Sequence, residues 1–230
     1  MVKKAFAFTL ILGMGLLFYQ LYRQRSTSTD LNKTARYYVE NGPKETGSAN
    51  VVTSVVVTYR GLDTLGEVTI LFVAASIIGF FLKNQRNRKL EGAPGETSEL
   101  LHTGSVFLVP LIFLLGVYVF VNGHLSPGGG FQGGAIIASG TVLLFLADPS
   151  IGAGRGVIHV LESFSGMLYV GLAVAGLFLA GGFLDNRIMP LGHFGTLLSA
   201  GAIPVIYSLI GLKVGAELSS ILYALKDAKE

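Results

Sequence analysis

Gly123-His124-Leu125-Ser126-Pro127-Gly128-Gly129-Gly130-Phe131-Gln132-Gly133-Gly134 stands between two long apolar segments and is almost without charge. A run this rich in glycine does not make a stable helix, because each Gly costs about 1 kcal/mol relative to Ala in a helix interior. It predicts a compact re-entrant turn between two membrane helices. Glycines there let backbone approach backbone closely, and the amides and carbonyls outside a helix then need protein or water partners. His124 can exchange a proton near neutral pH, and Gln132 can both donate and accept hydrogen bonds. Two readings stand side by side: a tight turn at a crowded helix junction, and a polar element on an ion pathway.

The flanking sequence sets the class. Of 230 residues, 51% are hydrophobic and only 13% charged, against about 25% charged in soluble domains. Several apolar runs approach the roughly 20 residues that cross a bilayer as a helix. The chain therefore reads as an all-α polytopic membrane protein with about six transmembrane helices. It has no cysteine, hence no disulfide and no thiolate ligand for a metal or iron–sulfur cluster. His102, His124, His159 and His193 show no metal-ligand spacing, and no phosphate-binding Gly-Lys-Ser/Thr loop is present. No nucleophile–base pair stands out, so the expectation is no catalytic residue, no metal site and no cofactor. The net charge of +3 fits basic loops of a membrane protein, with lipid around it, rather than nucleic-acid binding.

Ala5–Tyr22 is the first span; no small-x-small cleavage site closes it, so it reads as retained rather than as a signal peptide. Residues 23–48 are polar, with Asn41-Gly42-Pro43 as turn signals, and read as an aqueous loop. Asn50–Tyr59 is β-branched and too short to span; it lies at the interface or enters a longer helix. Arg60, Asp63 and Glu67 then precede apolar residues running to Leu82. Thr64 and Glu67 fit a capping box that would start the helix near Leu65. Three ionisable groups at a membrane-helix entrance also suit a cavity or a partner, and Asp63 and Glu67, four apart, share one helix face. Two carboxylates there could pass a proton or hold a sodium ion.

The most charged loop is Lys83–Thr103, with Gly92-Ala93-Pro94-Gly95 inside it, and it divides the chain into a two-helix unit (1–90) and a four-helix unit (91–230). The further spans are Gly104–Asn122 with Pro110 inside, Gly130–Ala147, Val157–Ala180 and Phe194–Leu212 with Pro204 inside. Glu162 and His159 lie near the start of the fifth, and Gly166, Gly171 and Gly176 suit close helix packing. Lys213 and Glu217 are four apart. They read as a snorkelling lysine with an exposed pair or, alternatively, as a lysine facing polar groups inside a complex. The distribution of Lys and Arg favours cytoplasmic termini. A self-sufficient carrier is disfavoured by the lack of an inverted repeat.

Asn122-Gly123-His124 followed by Pro127-Gly128-Gly129-Gly130-Phe131-Gln132-Gly133-Gly134 resembles the signature of the B subunit of Mrp-type sodium/proton antiporters, the MnhB/MrpB family, over roughly residues 98–225. Tyr59-Arg60-Gly61-Leu62-Asp63-Thr64-Leu65-Gly66-Glu67 resembles a motif from the last part of the large A subunit, or from the small subunit that replaces it in hydrogenase-type complexes. The chain thus looks like a fusion of the two.

The resemblance implies an ion-transport subunit of a prokaryotic cell membrane with no activity of its own. Its partners would be the large pumping subunits and small subunits of an Mrp-type module, with sodium as a transported ion. A hydrogenase or sulfur-reductase arm is a further expected partner. Asp63 and Glu67 match acidic positions of the A-type motif, and His124 and Gln132 match the B-type signature. Pro127, Gly128, Gly129, Gly130, Phe131, Gly133 and Gly134 form its structural part. Glu162 and Lys213 join the expected ion pathway as membrane-embedded charges. A purely structural scaffold subunit is the rival reading.

Overall fold

The computed structural model describes residues 2–24, 30–85, 98–148 and 155–227. It is helical, with no strand among these residues. The join expected within Lys83–Thr103 falls largely outside them. Two units are described separately: residues 1–36 and residues 37–230. The first carries α1 (Val2–Gln24), a helix apolar and long enough to cross a membrane.

Helix α2 (Lys33–Thr46) runs into the second unit. After it come α3 (Val51–Thr53), α4 (Gly61–Gln85), α5 (Glu99–Val121), α6 (Gly130–Ala147), α7 (Arg155–Leu179) and α8 (Ile203–Asp227). Together with α1, the helices α4 to α8 supply six candidate spans. Helix α8 is the central one: α4, α5, α6 and α7 all pack on it, and α5 and α6 also pair with each other. The core is accordingly built on Ile203, Ile206, Tyr207, Ile210 and Val214, against Val68 of α4 and Tyr169 and Ala173 of α7.

Glycine decides how closely α6 approaches its neighbours. A Cβ at Gly133 would lie 2.6 Å from the Gly116 carbonyl of α5, and one at Gly134 would lie 2.8 Å from the Gly211 carbonyl of α8. Backbone contact of this kind replaces side-chain interdigitation where lipid offers no hydrophobic drive between helices. On α7 the three glycines differ. Gly176 packs on the Gly182 carbonyl and Gly166 on the Lys213 side chain, whereas nothing lies within 4 Å of Gly171.

Three sequence expectations are corrected, and one of two alternatives is decided. Residues 33–46 form a helix rather than a loop, with Pro43 accommodated inside it. Ser54–Tyr59 is a π-helical stretch between α3 and α4, so of the two alternatives for the β-branched segment, entry into a longer helix holds; wide helical turns of this kind recur at functional sites. There is no capping box: α4 starts at Gly61, and Thr64 Oγ1 donates to the Val56 carbonyl across the π-helical turn at 2.8 Å. The last span starts at Ile203, and Pro204 sits in its first turn, where its missing donor costs nothing. Residues 189–202 before it are irregular.

Candidate functional site: a buried ion pair beside an open groove, and a turn sealed by side chains

The turn at 122–129 is closed by the polar run Ser48–Thr53. Asn50 Nδ2 donates to the carbonyls of Gly123 and Ser126, both at 3.0 Å, while its Oδ1 accepts the amides of Val52 and Thr53 as the cap of α3. Thr53 Oγ1 donates to Gly123 O at 2.6 Å, and Ser48 Oγ to His124 O at 2.9 Å. Tyr207 of α8 donates its hydroxyl to Thr53 Oγ1 at 3.2 Å. These contacts answer the demand that buried carbonyls outside a helix find donors. Gly128 and Gly129 take φ of 149° and 154°, which side chains rarely allow, and Gly130 then opens α6 against Ile210. Residues 122–129 thus form a tight junction, as one of the two sequence readings had it, whereas Gly130–Gly134, expected outside a helix, form the start of α6.

His124 is fully buried within this junction. Its Nε2 lies 3.2 Å from the Thr196 carbonyl, and its Nδ1 has no partner among the described residues. Burial pushes its proton affinity down, opposed by the Thr196 carbonyl. Gln132 is exposed in the first turn of α6, its Oε1 lying over Gly129.

Beside the junction is a second polar group. Glu45 accepts the hydroxyls of Tyr37 at 2.7 Å and Tyr59 at 2.5 Å, and Tyr59 stacks on Tyr38. The two tyrosine hydroxyls hold the Glu45 carboxyl below its ordinary range, and burial followed by Glu45 pushes Tyr59 up. Arg187 clasps Asp185, donating Nε to Oδ1 at 2.9 Å, and this guanidinium holds Asp185 low.

The charges inside the spans are arranged differently. Lys213 Nζ donates to Glu217 Oε1 at 2.6 Å in mid-α8, and Glu217 is fully buried. The reading of an exposed, snorkelling pair is therefore corrected. Because α8 is surrounded by four helices, neither side chain reaches an end of the bundle. Lys213 also lies over the Phe72 ring of α4, 4.8 Å from its centroid. Next to the pair is a cavity of 290 Å³ lined from α4 by Leu65, Val68, Thr69 and Phe72, from α7 by Glu162 and Gly166, and from α8 by Lys213. Glu162 is nearly buried, has His159 Nδ1 3.6 Å from its carboxylate, and lies within electrostatic reach of Glu217.

Nearer the α4 entrance, Asp63 is exposed and paired with Arg60, whose Nε donates at 2.6 Å. Glu67 is exposed one turn further on, within electrostatic reach of Tyr169. The structure thus brings Glu162 and Lys213 together on the lining of one groove formed by α4, α7 and α8, and Glu67 is not on that lining. His124 and Gln132 belong to the α5–α6 junction instead. Sequence reasoning missed Asn50, Thr53 and Tyr169, and it gave Glu217 no site role. For Glu217, the spacing to Lys213 was the available signal. For Asn50, it was the polar cluster Thr46, Ser48, Asn50, Thr53 and Ser54 just ahead of a β-branched run.

Fold and site together define a multi-pass helical membrane protein with a polar seam inside its bundle. The chain belongs to the family of domains related to the MnhB subunit of Na+/H+ antiporters, whose model matches residues 100–220; a second family, the MbhE subunit of MBH, matches residues 3–92. An uncharacterized protein of Methanocaldococcus jannaschii is 30% identical over 206 residues, covering 78% of each chain. A chain of the membrane-bound sulfane sulfur reductase, an archaeal respiratory membrane complex, superposes with a TM-score of 0.82 at 40% identity, covering 98% of both chains. A chain of the Mrp complex from Dietzia sp. DQ12-45-1b superposes with a TM-score of 0.77 at 27% identity, covering 98% of this chain and 26% of that one. Both sequence units named from the motifs therefore have a matching family, in the expected order.

Proposed function

We propose that the chain is an integral membrane subunit of a multisubunit cation/proton antiporter module, contributing to the ion pathway and to assembly of the complex. The observation that carries this reading is the Lys213–Glu217 pair in the middle of α8, beside Glu162 and a cavity that reaches α4. Ionisable groups inside a membrane bundle are costly and mark ion or proton routes. A carboxylate drawn out of water must be neutralised, and either a proton or a sodium ion can do it. Glu162 could exchange one for the other, with Lys213 and Glu217 setting the local field. Asp63 and Glu67 lie in the first two turns of α4, at the entrance of that span, where an ion would enter or leave. This chain supplies no catalytic group to that scheme. Na+ is its cargo.

The likeness to the sulfane sulfur reductase chain, which extends over nearly all of both chains, supports a second reading of the whole assembly. On that reading the module is the ion-moving arm of a redox-driven respiratory complex. The role of this subunit is the same in both.

The test is Glu162→Gln in the intact complex, reconstituted in liposomes. Sodium-dependent proton flux should fall at least about tenfold, equivalent to about 1.4 kcal/mol on the limiting barrier, while the complex assembles in normal yield. Flux and sodium affinity both unchanged would leave the scaffold role alone.

A further inference from the structure

His124 is covered by a segment of chain that is itself exposed. Residues 192–198 form turns and face outward, yet the imidazole they reach is fully buried. The backbone of His124 is fixed by the run 48–50: its carbonyl accepts Ser48 Oγ at 2.9 Å and the Asn50 amide at 3.0 Å. Its ring reaches the segment, where the Thr196 carbonyl, 3.2 Å from Nε2, also accepts the Ser199 amide at 3.1 Å. A carbonyl only accepts, so this contact puts the ring hydrogen on Nε2 and leaves Nδ1 as an acceptor. Nδ1 has no donor among the described residues, and Ser199 Oγ, fully buried at the end of the segment, has no partner there either. Each of these atoms forgoes a hydrogen bond that water would give it, which favours local opening.

A charge on the ring makes closure costlier still. The run 46–53 and residues 121–134 contain no charged side chain, and residues 188–202 contain only His193, which is exposed. The charges that precede that segment, Asp185 and Arg187, hold each other, and α8 brings Tyr207, whose hydroxyl is bonded to Thr53. The Thr196, Val121 and Leu197 carbonyls favour a proton on the ring, but burial outweighs them and holds its proton affinity below the ordinary 6.5. An imidazolium buried without an anion is costly, and opening to water removes that cost. The closed junction therefore binds the ring proton less well than the open one. Closure is fully stable above pH 6.5, the ordinary value of the ring, and weakens as the pH falls through it. We propose that His124 is an acid-sensitive latch, whose protonation releases the segment 192–199 from the turn at 122–129. The latch stands on the geometry around the ring and holds whether or not this chain carries ions.

The experiment is hydrogen–deuterium exchange with mass spectrometry on the full chain as purified from its native membrane, at pH 7.5 and pH 5.5, with rates corrected for the intrinsic effect of pH. An open ring titrates near 6.5 and a closed ring stays neutral, so the opening constant of the segment should rise about tenfold between the two. Peptides covering 192–200 should lose that much protection, while peptides from 133–145 of α6 should not change. His124→Gln, which cannot take up a proton, should reduce the pH effect to less than about twofold, and His193→Gln should leave it at about tenfold. Equal protection of 192–200 at both pH values in the unsubstituted chain would overturn the proposal, and so would a loss spread evenly into α6. Both of these outcomes are read without any substitution. Persistence of the full effect in His124→Gln would overturn it as well. Ion flux is not read, so this outcome is separate from that of the Glu162 test.

Discussion

Glu217→Ala should destabilise the chain by about 3–5 kcal/mol, the cost of leaving one member of a buried ion pair without the other. In detergent this would appear as a large drop in thermal midpoint and in yield. Glu217 has no accessible surface, and its Oε1 is the acceptor for Lys213 Nζ at 2.6 Å. Without it, a lysine in mid-membrane is left beside the Phe72 ring, with Glu162 on the same cavity lining. Lys213 cannot snorkel out, because α4 and α7 flank it and α8 carries it at mid-length. The double replacement Lys213→Met with Glu217→Leu should recover most of the loss, since buried pairs exchanged for apolar groups of similar volume are often neutral. A single and a double variant that melt alike would mean that the two charges do not depend on each other.

Gly130→Ala should separate α6 from α8 and cost about 3 kcal/mol, the upper part of the usual range for overpacking. The added Cβ would lie 2.6 Å from Ile210 Cβ and 2.9 Å from the Tyr207 carbonyl. Tyr207 cannot retreat freely, because its hydroxyl is tied to Thr53, which in turn holds the Gly123 carbonyl. The damage should therefore spread into the 122–129 junction. Gly171→Ala is the control, with nothing within 4 Å of the added methyl. It should be neutral or stabilising by up to about 1 kcal/mol, the helix-propensity difference between Gly and Ala. Thermal melts of the two variants in the same detergent give the comparison directly.

These two cases show what could and could not be read from the chain. The spans were legible because apolar runs of membrane length have few alternatives. The turn at 122–129 was legible because glycine costs stability in a helix, but Gly130, Gly133 and Gly134 begin α6 despite that cost, because they let its backbone pack on α5 and α8. The π-helical entry at 54–59 was not, since a wide turn has no composition of its own and here depends on Thr64 reaching back to Val56. Helix α2 was hidden by Pro43 and by its polar composition, which resembles that of a loop. The burial of Lys213 and Glu217 was also out of reach. An i,i+4 pair looks the same on an exposed helix end and in a bundle centre, and only the packing of four helices around α8 distinguishes them. Asn50 illustrates the same limit for the junction: its partners Gly123 and Ser126 lie more than seventy positions away.

The central claim is that this chain works as a subunit of an ion-transport module. The most direct measurement is purification of the tagged full chain from its native membrane in mild detergent, with mass spectrometry of everything recovered with it. The expected result is stoichiometric recovery with large antiporter-type membrane subunits, with or without iron–sulfur subunits of a redox arm. Recovery of the chain alone, with sodium/proton exchange by that chain alone in liposomes, would contradict it.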